Sequence, residues 1–164
     1  MAQDISDKDL STEENTPGLA INAQYIKDLS FENPAPIENL LNQDEEASTL
    51  VNIEVGCNPL YEGTFEVILG LKSHIQRKEK TVYLIELSYA GVFTLSGIPE
   101  ELMRFVLFVE CPRLLFPFAR NLVAQITQES GFPPLYLKPV DFASLLEQRL
   151  KEESLASQEA EGNA

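Results

Sequence analysis

Residues 110–146, ECPRLLFPFARNLVAQITQESGFPPLYLKPVDFASLL, decide the fold of this chain. Apolar residues recur in the first half of the stretch at spacings of three and four, which is typical of an apolar stripe along an α-helix. Gly131 is suited to end that helix, the prolines after it favour an extended linker, and Asp141 is a suitable N-cap for a short second helix. The stretch therefore predicts two helices joined by an extended linker. The members of the predicted stripe are Leu115, Phe118, Leu122 and Ile126.

Two prolines in the first of these helices constrain where it begins. Pro112 is suited to a first helical turn, where its missing N–H has no partner within the helix anyway. Pro117 costs about 3 kcal/mol in a regular helix interior. We therefore expect Pro117 either in a first turn or at a kink, and the sequence leaves both alternatives open.

The half of the chain before this stretch predicts β-strands followed by one more helix. Apolar and polar residues alternate in four segments, which is typical of strands with two different faces. Pro99 and two glutamates open a helix that is apolar nearly all round, so we expect it to be deeply buried or covered by another chain. The order of elements predicts an α+β fold, with one four-stranded antiparallel sheet and helices packed on a single face. The predicted strand segments are 25–32, 50–55, 65–75 and 81–89.

Residue parity predicts which side chains share a sheet face. Asp28 and Glu32 fall on one face of the first strand, roughly 13 Å apart at about 3.3 Å per residue. That spacing is too wide for the carboxylate pair of a glycosidase. In the last strand Val82, Leu84 and Glu86 share the face that carries no helices. An exposed apolar face usually marks an interface, so we expect oligomerisation or a broad binding surface.

Composition and charge limit the classes of partner. Among the 164 residues 44% are hydrophobic, and the net charge of −14 repels nucleic acid and anionic lipid while it favours basic partners. We expect a single domain at 24–150 between mobile acidic tails at 1–23 and 151–164. Cys57 and Cys111 fit no disulfide framework, and no signal peptide or membrane-spanning run is present. These observations predict a cytoplasmic protein that does not insert into membranes.

The sequence contains no pattern typical of an enzyme. His74 is the one histidine, no glycine-rich phosphate loop follows a strand, and no cluster has the spacing of metal ligands. We therefore expect no catalytic residues, no metal and no cofactor. Aromatic residues crowd the second half, and those near the proline-rich linker are candidates to line a groove for an extended chain. The predicted groove residues are Phe132, Tyr136 and Phe142.

Four blocks of the chain, in this order, resemble the SecB family of bacterial export chaperones. They are YIKDLSFENP at 25–34, TVYLIELSYAGVFTLSGIP at 81–99, ECPRLLFPFAR at 110–120 and GFPPLYLKPVDFASLL at 131–146. The resemblance implies a SecB-like fold that assembles as a homotetramer, a dimer of dimers. It also implies an ATP-independent holdase that binds unfolded secretory preproteins in the cytosol, keeps them competent for translocation and delivers them to the SecA motor.

The resemblance also implies roles for individual residues. Positions that bind SecA in the family correspond to Asp28, Glu32, Leu84 and Glu86, and tetramer contacts are implied near Ile85 and Leu87. The alternatives are a SecB-like chaperone dedicated to a toxin–antitoxin pair, an unrecognised enzyme, and an adaptor that binds folded partners. Affinity for one antitoxin over unfolded chains distinguishes the first of these.

Overall fold

The computed structural model of the chain describes residues 16–42 and 45–162, with side chains described as far as residue 158. Four long strands come first, with one short helix between the first two, and the remaining helices follow. In chain order the elements are β1 (Gly18–Glu32), α1 (Pro36–Leu41), β2 (Ser48–Tyr61), β3 (Thr64–Arg77), β4 (Lys80–Ser96), α2 (Glu100–Phe105), a π-helical segment (Val106–Glu110), α3 (Cys111–Glu129) and α4 (Phe142–Gly162).

The four strands form one antiparallel sheet in the order β1-β4-β3-β2, so β1 and β2 are its two edges. The helices pack over a core on one side of this sheet, which confirms the predicted α+β architecture. Val67, Phe93 and Leu115 are among the fully buried residues of that core. The opposite side of the sheet carries no helix among the described residues.

Both ends of the predicted domain differ from the structure. β1 begins at Gly18 because Leu19 and Ile21 continue the ladder with Leu95 and Phe93 of β4, so residues 18–23 of the predicted tail are strand. The predicted tail at 1–23 otherwise lies mostly outside the described residues. At the other end α4 runs to Gly162, because the residues after 150 are mainly good helix formers and Arg149 pairs with Glu153 one turn later.

A bulge in β1 overturns the predicted parity of that strand. The register shifts between Ile26 and Asp28, which makes Lys27 an inserted residue. Tyr25 and Lys27 consequently reach Glu66 on the helix-free side, while Phe31 packs against the core by stacking on Tyr83, at 5.4 Å between ring centroids. The prediction that alternate residues from Tyr25 to Phe31 form one face was therefore wrong.

A second register shift, between Ile75 and Gln76 of β3, affects Val82 of β4. Val82 is buried in the core cluster, and it does not share the face of Leu84 and Glu86 as its parity predicted. The carbonyl of Val82 accepts a 2.8 Å hydrogen bond from the side chain of Asn39 in α1. The crossing segment between β1 and β2 is therefore attached to the sheet at this point.

The helices from Glu100 to Glu129 follow one another without a break, through the π-helical segment at Val106–Glu110. A proline ring crowds the carbonyl four residues before it, which for Pro112 is that of Phe108. A π-helical turn at this position relieves that crowding. Pro112 lies in the first turn of α3, but the helical chain continues before it, so its missing N–H does not mark the start of a helix as predicted. Pro117 lies in the interior of α3, which excludes a first turn for it.

The buried side of α3 differs from the predicted stripe. Leu115 is fully buried, but Phe118 is 52% exposed, and Leu122 and Ile126 are only partly buried. Apolar residues recur at spacings of three and four along more than one side of this helix. Contact with the sheet therefore determines which of these stripes is buried. The residues that α3 buries are Cys111, Pro112, Leu115, Phe116, Ala119, Val123, Ala124 and Thr127.

Candidate functional site

The side of the sheet that faces away from the helices, here called the open face, carries charged side chains of adjacent strands. The ladder between β1 and β4 pairs Asp28 with Ser88 and Glu32 with Leu84, and Glu86 lies between those two rows. Because paired residues point to the same side of a sheet, the four predicted SecA-binding residues share the open face. The charged and apolar members of the open face include Asp28, Glu32, Glu54, Glu66, Lys72, Leu84 and Glu86.

The central part of the open face is a shallow depression of about 180 Å³ above Gly70. The carboxylates of Asp28, Glu54 and Glu86 line it together with Lys72. Lys72 forms an ion pair with Glu86, and this hydrogen bond is the main reason why the pKa of Lys72 is raised. The depression therefore combines three carboxylates with one lysine, an arrangement that suits a basic partner surface.

At one end of the open face, a network of hydrogen bonds surrounds the carboxylate of Glu66 in β3. Lys27 donates to both oxygens of the Glu66 carboxylate at 2.9 and 2.8 Å, and Tyr25 and Asn58 each donate one further hydrogen bond. These bonds, from Lys27 first and then from Tyr25 and Asn58, lower the pKa of the buried Glu66 to about 2. The network connects β1 and β2 to β3, because its donors come from both edge strands.

A second candidate site, here called the groove, lies between the free edge of β2, the π-helical segment and α4. It encloses about 470 Å³. Side chains of β2, Phe108 and two leucines of α4 form its apolar part, and polar side chains form its rim. The apolar lining residues are Ile53, Val55, Phe108, Leu145 and Leu146, and the rim residues are Asn52, Glu54, Gln148, Arg149 and Glu152.

Two of the three predicted groove residues are buried beneath the surface. Phe132 packs on Tyr83 at 4.8 Å between ring centroids, and Phe142 meets Phe116 edge to face at 6.0 Å, so both stabilise the core. Tyr136 alone is exposed, at 64%, with the guanidinium of Arg120 5.8 Å from its ring centre. The prediction of Phe132 and Phe142 as groove-lining residues is corrected, because burial leaves them only 6% and 1% exposed.

The groove residues that the structure identifies were not singled out from the sequence. The alternation of Val51, Ile53 and Val55 predicted a strand, and this pattern could have identified Ile53 and Val55 as residues on one side of it. Phe108 had no such signal, because the π-helical segment decides which side of the long helix it occupies. The position of α4 above β2 also depends on tertiary packing alone.

Ile85 and Leu87 are also corrected as tetramer contacts. They are 1% and 2% exposed and lie on the helix side of β4, opposite Phe31 and Leu29 of β1. Side chains buried in the core of one chain are not available to another chain. Exposed apolar residues lie elsewhere, on the long helix at Leu102, Phe105, Leu114 and Phe118, and along β1 at Ile21, Tyr25, Ile26 and Leu29.

His74, Cys57 and Cys111 lie outside the lining of both candidate sites. The Nε2 of His74 lies 2.8 Å from the hydroxyl of Thr81, and burial raises the pKa of both Cys57 and Cys111, the latter to about 12. Within residues 16–42 and 45–162 no group of three or more His, Cys, Asp or Glu side chains could hold a metal ion. In the same part of the chain, no helix has the length and apolarity required to cross a membrane.

Comparisons with known proteins agree on one family. The family model described as preprotein translocase subunit SecB matches residues 12–153. The protein-export protein SecB of Sinorhizobium fredii is 48% identical over 150 residues, covering 92% of this chain and 90% of that protein. The protein of the same name from Rhizobium meliloti is 46% identical over 153 residues, covering 93% and 91%.

The fold is also similar to a solved structure. A Mycobacterium tuberculosis SecB-like chaperone, determined in complex with a peptide from an antitoxin, superimposes with a TM-score of 0.59. The match covers 74% of this chain and 90% of that chain at 17% identity. At such low identity the similarity concerns the fold alone.

Proposed function

Because this chain belongs to the SecB family of protein-export chaperones, which are not enzymes, we propose that it binds unfolded secretory preproteins in the cytosol and delivers them to SecA. It keeps them competent for translocation by holding them unfolded, and it does so without hydrolysing ATP. The cytosol is the proposed compartment because unfolded preproteins are available to a chaperone on the side where they are synthesised.

The observation that carries this proposal is the groove beside a free strand edge. β2 is 14 residues long and has a neighbouring strand, β3, on one side only. An extended chain placed along it gains main-chain hydrogen bonds without regard to sequence, and the apolar lining of the groove accepts varied side chains. Such a site suits clients that share an unfolded state and differ in sequence.

The exposed apolar residues support assembly as a dimer of dimers. β1 is the other free edge, and a second copy can extend the sheet by pairing along it. The apolar side of the long helix, around Phe105 and Phe118, provides a second and separate interface. A dimer of dimers requires two different interfaces between copies of the chain. The four grooves of such a tetramer would bind one unfolded chain at several points.

The open face is the proposed docking surface for SecA. Asp28, Glu32, Leu84 and Glu86 lie on adjacent strands there, and Asp28 and Glu32 are exposed. Their carboxylates attract a basic surface, while Leu84 adds an apolar contact. The open face is opposite the helices, and it meets the groove at Asn52 and Glu54 of β2, which line both the groove and the depression.

Sedimentation of the purified protein with a reduced, unfolded secretory precursor tests the proposal. We expect a mass near four chains and binding of the unfolded precursor, but not of its folded form. A stable monomer that ignores unfolded chains contradicts the proposal. Preference for a single antitoxin peptide over unfolded precursors would instead support the dedicated toxin–antitoxin chaperone.

A further inference from the structure

We infer that Arg149 of α4 lowers the affinity for unfolded clients, because it occupies a backbone acceptor at the edge of β2 that a client strand would use. The inference rests on the proposed function, since it requires that extended clients bind along β2. It adds a residue that controls access to that edge from within the same chain.

The first observation is a hydrogen bond from helix to strand edge. Nη1 of Arg149 donates to the backbone carbonyl of Val55 at 2.8 Å. In an antiparallel strand the N–H and C=O of one residue point to the same side, and residues two positions away repeat that direction. The carbonyl of Val55 therefore belongs to the row of backbone groups along the edge that β3 does not use. Ile53 and Cys57 direct their backbone groups to the same side.

The second observation is that Arg149 makes two further contacts, and one of its partners is in turn held by Arg104. Its guanidinium lies 4.8 Å from the ring centre of Phe108, within the groove. Its Nε donates to Glu153 at 3.1 Å, and Glu153 also accepts a 2.6 Å hydrogen bond from Arg104 of α2. Arg149 thereby connects α4 to β2 and to the long helix, directly above the apolar lining of the groove.

These contacts are suited to reversible opening. The side chains of Arg149, Glu153 and Arg104 are each 47% exposed, so water and salt weaken their ion pairs. The start of α4 is anchored more firmly, because Phe142 is buried in the core. Arg149 can therefore leave Val55 while the first turn of α4 stays in place.

Client binding and the Arg149 contact compete for one atom, the carbonyl oxygen of Val55. A client strand along β2 donates a backbone N–H to the Val55 carbonyl, at the place where the guanidinium now donates. The oxygen has a second lone pair, but the guanidinium stands at the edge where the client strand would lie, so the loss of its hydrogen bond on displacement reduces the net gain of binding. Removal of the Arg149 side chain abolishes this competition.

The test compares Arg149→Ala with wild type and with Lys151→Ala, which removes the same charge from an exposed position of the same helix. The probe is a secretory precursor alkylated with iodoacetamide after reduction and labelled with fluorescein, titrated by anisotropy. We expect Arg149→Ala to bind it about two- to tenfold more tightly, the range that one hydrogen bond contributes. Lys151→Ala should bind it as wild type does.

Two results would overturn the inference. One is unchanged or weaker binding by Arg149→Ala when its thermal unfolding matches wild type. The other applies if Arg149→Ala folds poorly. Glu153→Gln keeps Arg149 but weakens its ion pair, so it should tighten binding by a smaller factor. Unchanged binding by Glu153→Gln would then overturn the inference. If wild type itself ignores the unfolded probe, the proposed function fails, so the two failures are distinguishable.

Discussion

Glu66 and Glu86 show how position changes the role of one residue type on the open face. Glu66 is buried and accepts hydrogen bonds from three different residues, so its charge is used within the chain. Glu86 is half-buried and pairs with the exposed Lys72, so its charge is accessible to a partner. The first carboxylate therefore stabilises the fold, and the second is available for binding.

Glu66→Gln should destabilise the chain in a pH-dependent way. The pKa of Glu66 is about 2 in the folded state, below the ordinary 4.5, so its ionised form stabilises the fold above about pH 4.5 and this contribution is lost as the pH falls towards 2. We expect Glu66→Gln to lower the free energy of unfolding by about 1–2 kcal/mol near neutral pH. Urea unfolding at several pH values should show this difference shrinking below about pH 4.

The control for this experiment is Glu62→Gln, at an exposed position in the turn between β2 and β3. It should unfold like wild type at every pH tested. A loss of stability in Glu66→Gln that stays constant down to about pH 3 would show that the Glu66 charge does not stabilise the fold.

Glu86→Lys should weaken SecA binding while client binding is unchanged. It reverses one charge on the open face and places a second cation beside Lys72. We expect the affinity for SecA to fall about tenfold at low salt, with a smaller effect at high salt. Glu62→Lys, with the same change of charge at the end of the sheet, is the matched control. Equal SecA affinity for Glu86→Lys and wild type would contradict the proposed docking surface.

At the scale of elements, the contact between α3 and β4 positions the helix layer on the sheet. Gly91 of β4 faces Leu115 of α3, and an added Cβ would lie 2.8 Å from Leu115 Cδ2 and 2.7 Å from Phe93 Cε2. Both neighbours are fully buried, so neither can move away freely. The absence of a side chain at Gly91 therefore allows α3 to approach the strand.

Gly91→Ala should lower the free energy of unfolding by about 1–3 kcal/mol, because it overpacks this contact. Gly56→Ala is the matched control in β2, where the nearest atom to an added Cβ is Ile68 Cβ at 3.9 Å, an ordinary contact. We expect the control to remain within about 0.5 kcal/mol of wild type. Chemical unfolding at a fixed protein concentration measures both, and equal stability of the two variants would show that α3 can shift without cost.

At the scale of the whole molecule, a single chain leaves several large apolar side chains exposed. They cluster on the outer side of the long helix and along the edge strand β1. Phe105 and Phe118 belong to the first surface, Ile21 and Leu29 to the second. Contiguous apolar surface of this kind normally marks an interface. The proposed tetramer would cover both surfaces and leave the groove and the open face accessible.

Phe118→Asp should reduce the size of the assembly, because it places a charge in the proposed helix interface. We expect sedimentation velocity to show species smaller than four chains, with the circular dichroism spectrum unchanged. Tyr61→Asp changes another exposed aromatic residue, at the end of β2, and should leave the mass as it is in wild type. A mass near four chains for Phe118→Asp would move the interface away from the long helix.

The sequence by itself determined the sheet, the helices after it and the family. Alternation along the strands predicted an antiparallel sheet, and Asp141 was placed correctly before α4, where its side chain accepts a hydrogen bond from the N–H of Ser144. These features depend on neighbours along the chain, so local residue patterns are sufficient to predict them. Parity also placed Asp28 with Glu32, and Leu84 with Glu86, and the ladder brings both pairs to one face.

Only the tertiary structure decided which apolar side chains face the core and which face solvent. The bulge at Lys27 reversed the expected faces of β1, and the π-helical segment placed Phe108 in the groove. Ile85, Phe132 and Phe142 are buried, while Phe118 is exposed, although all four are equally apolar in the sequence. The physical reason is that burial depends on contacts between residues distant in sequence, and one inserted residue in a strand turns every later side chain to the other face.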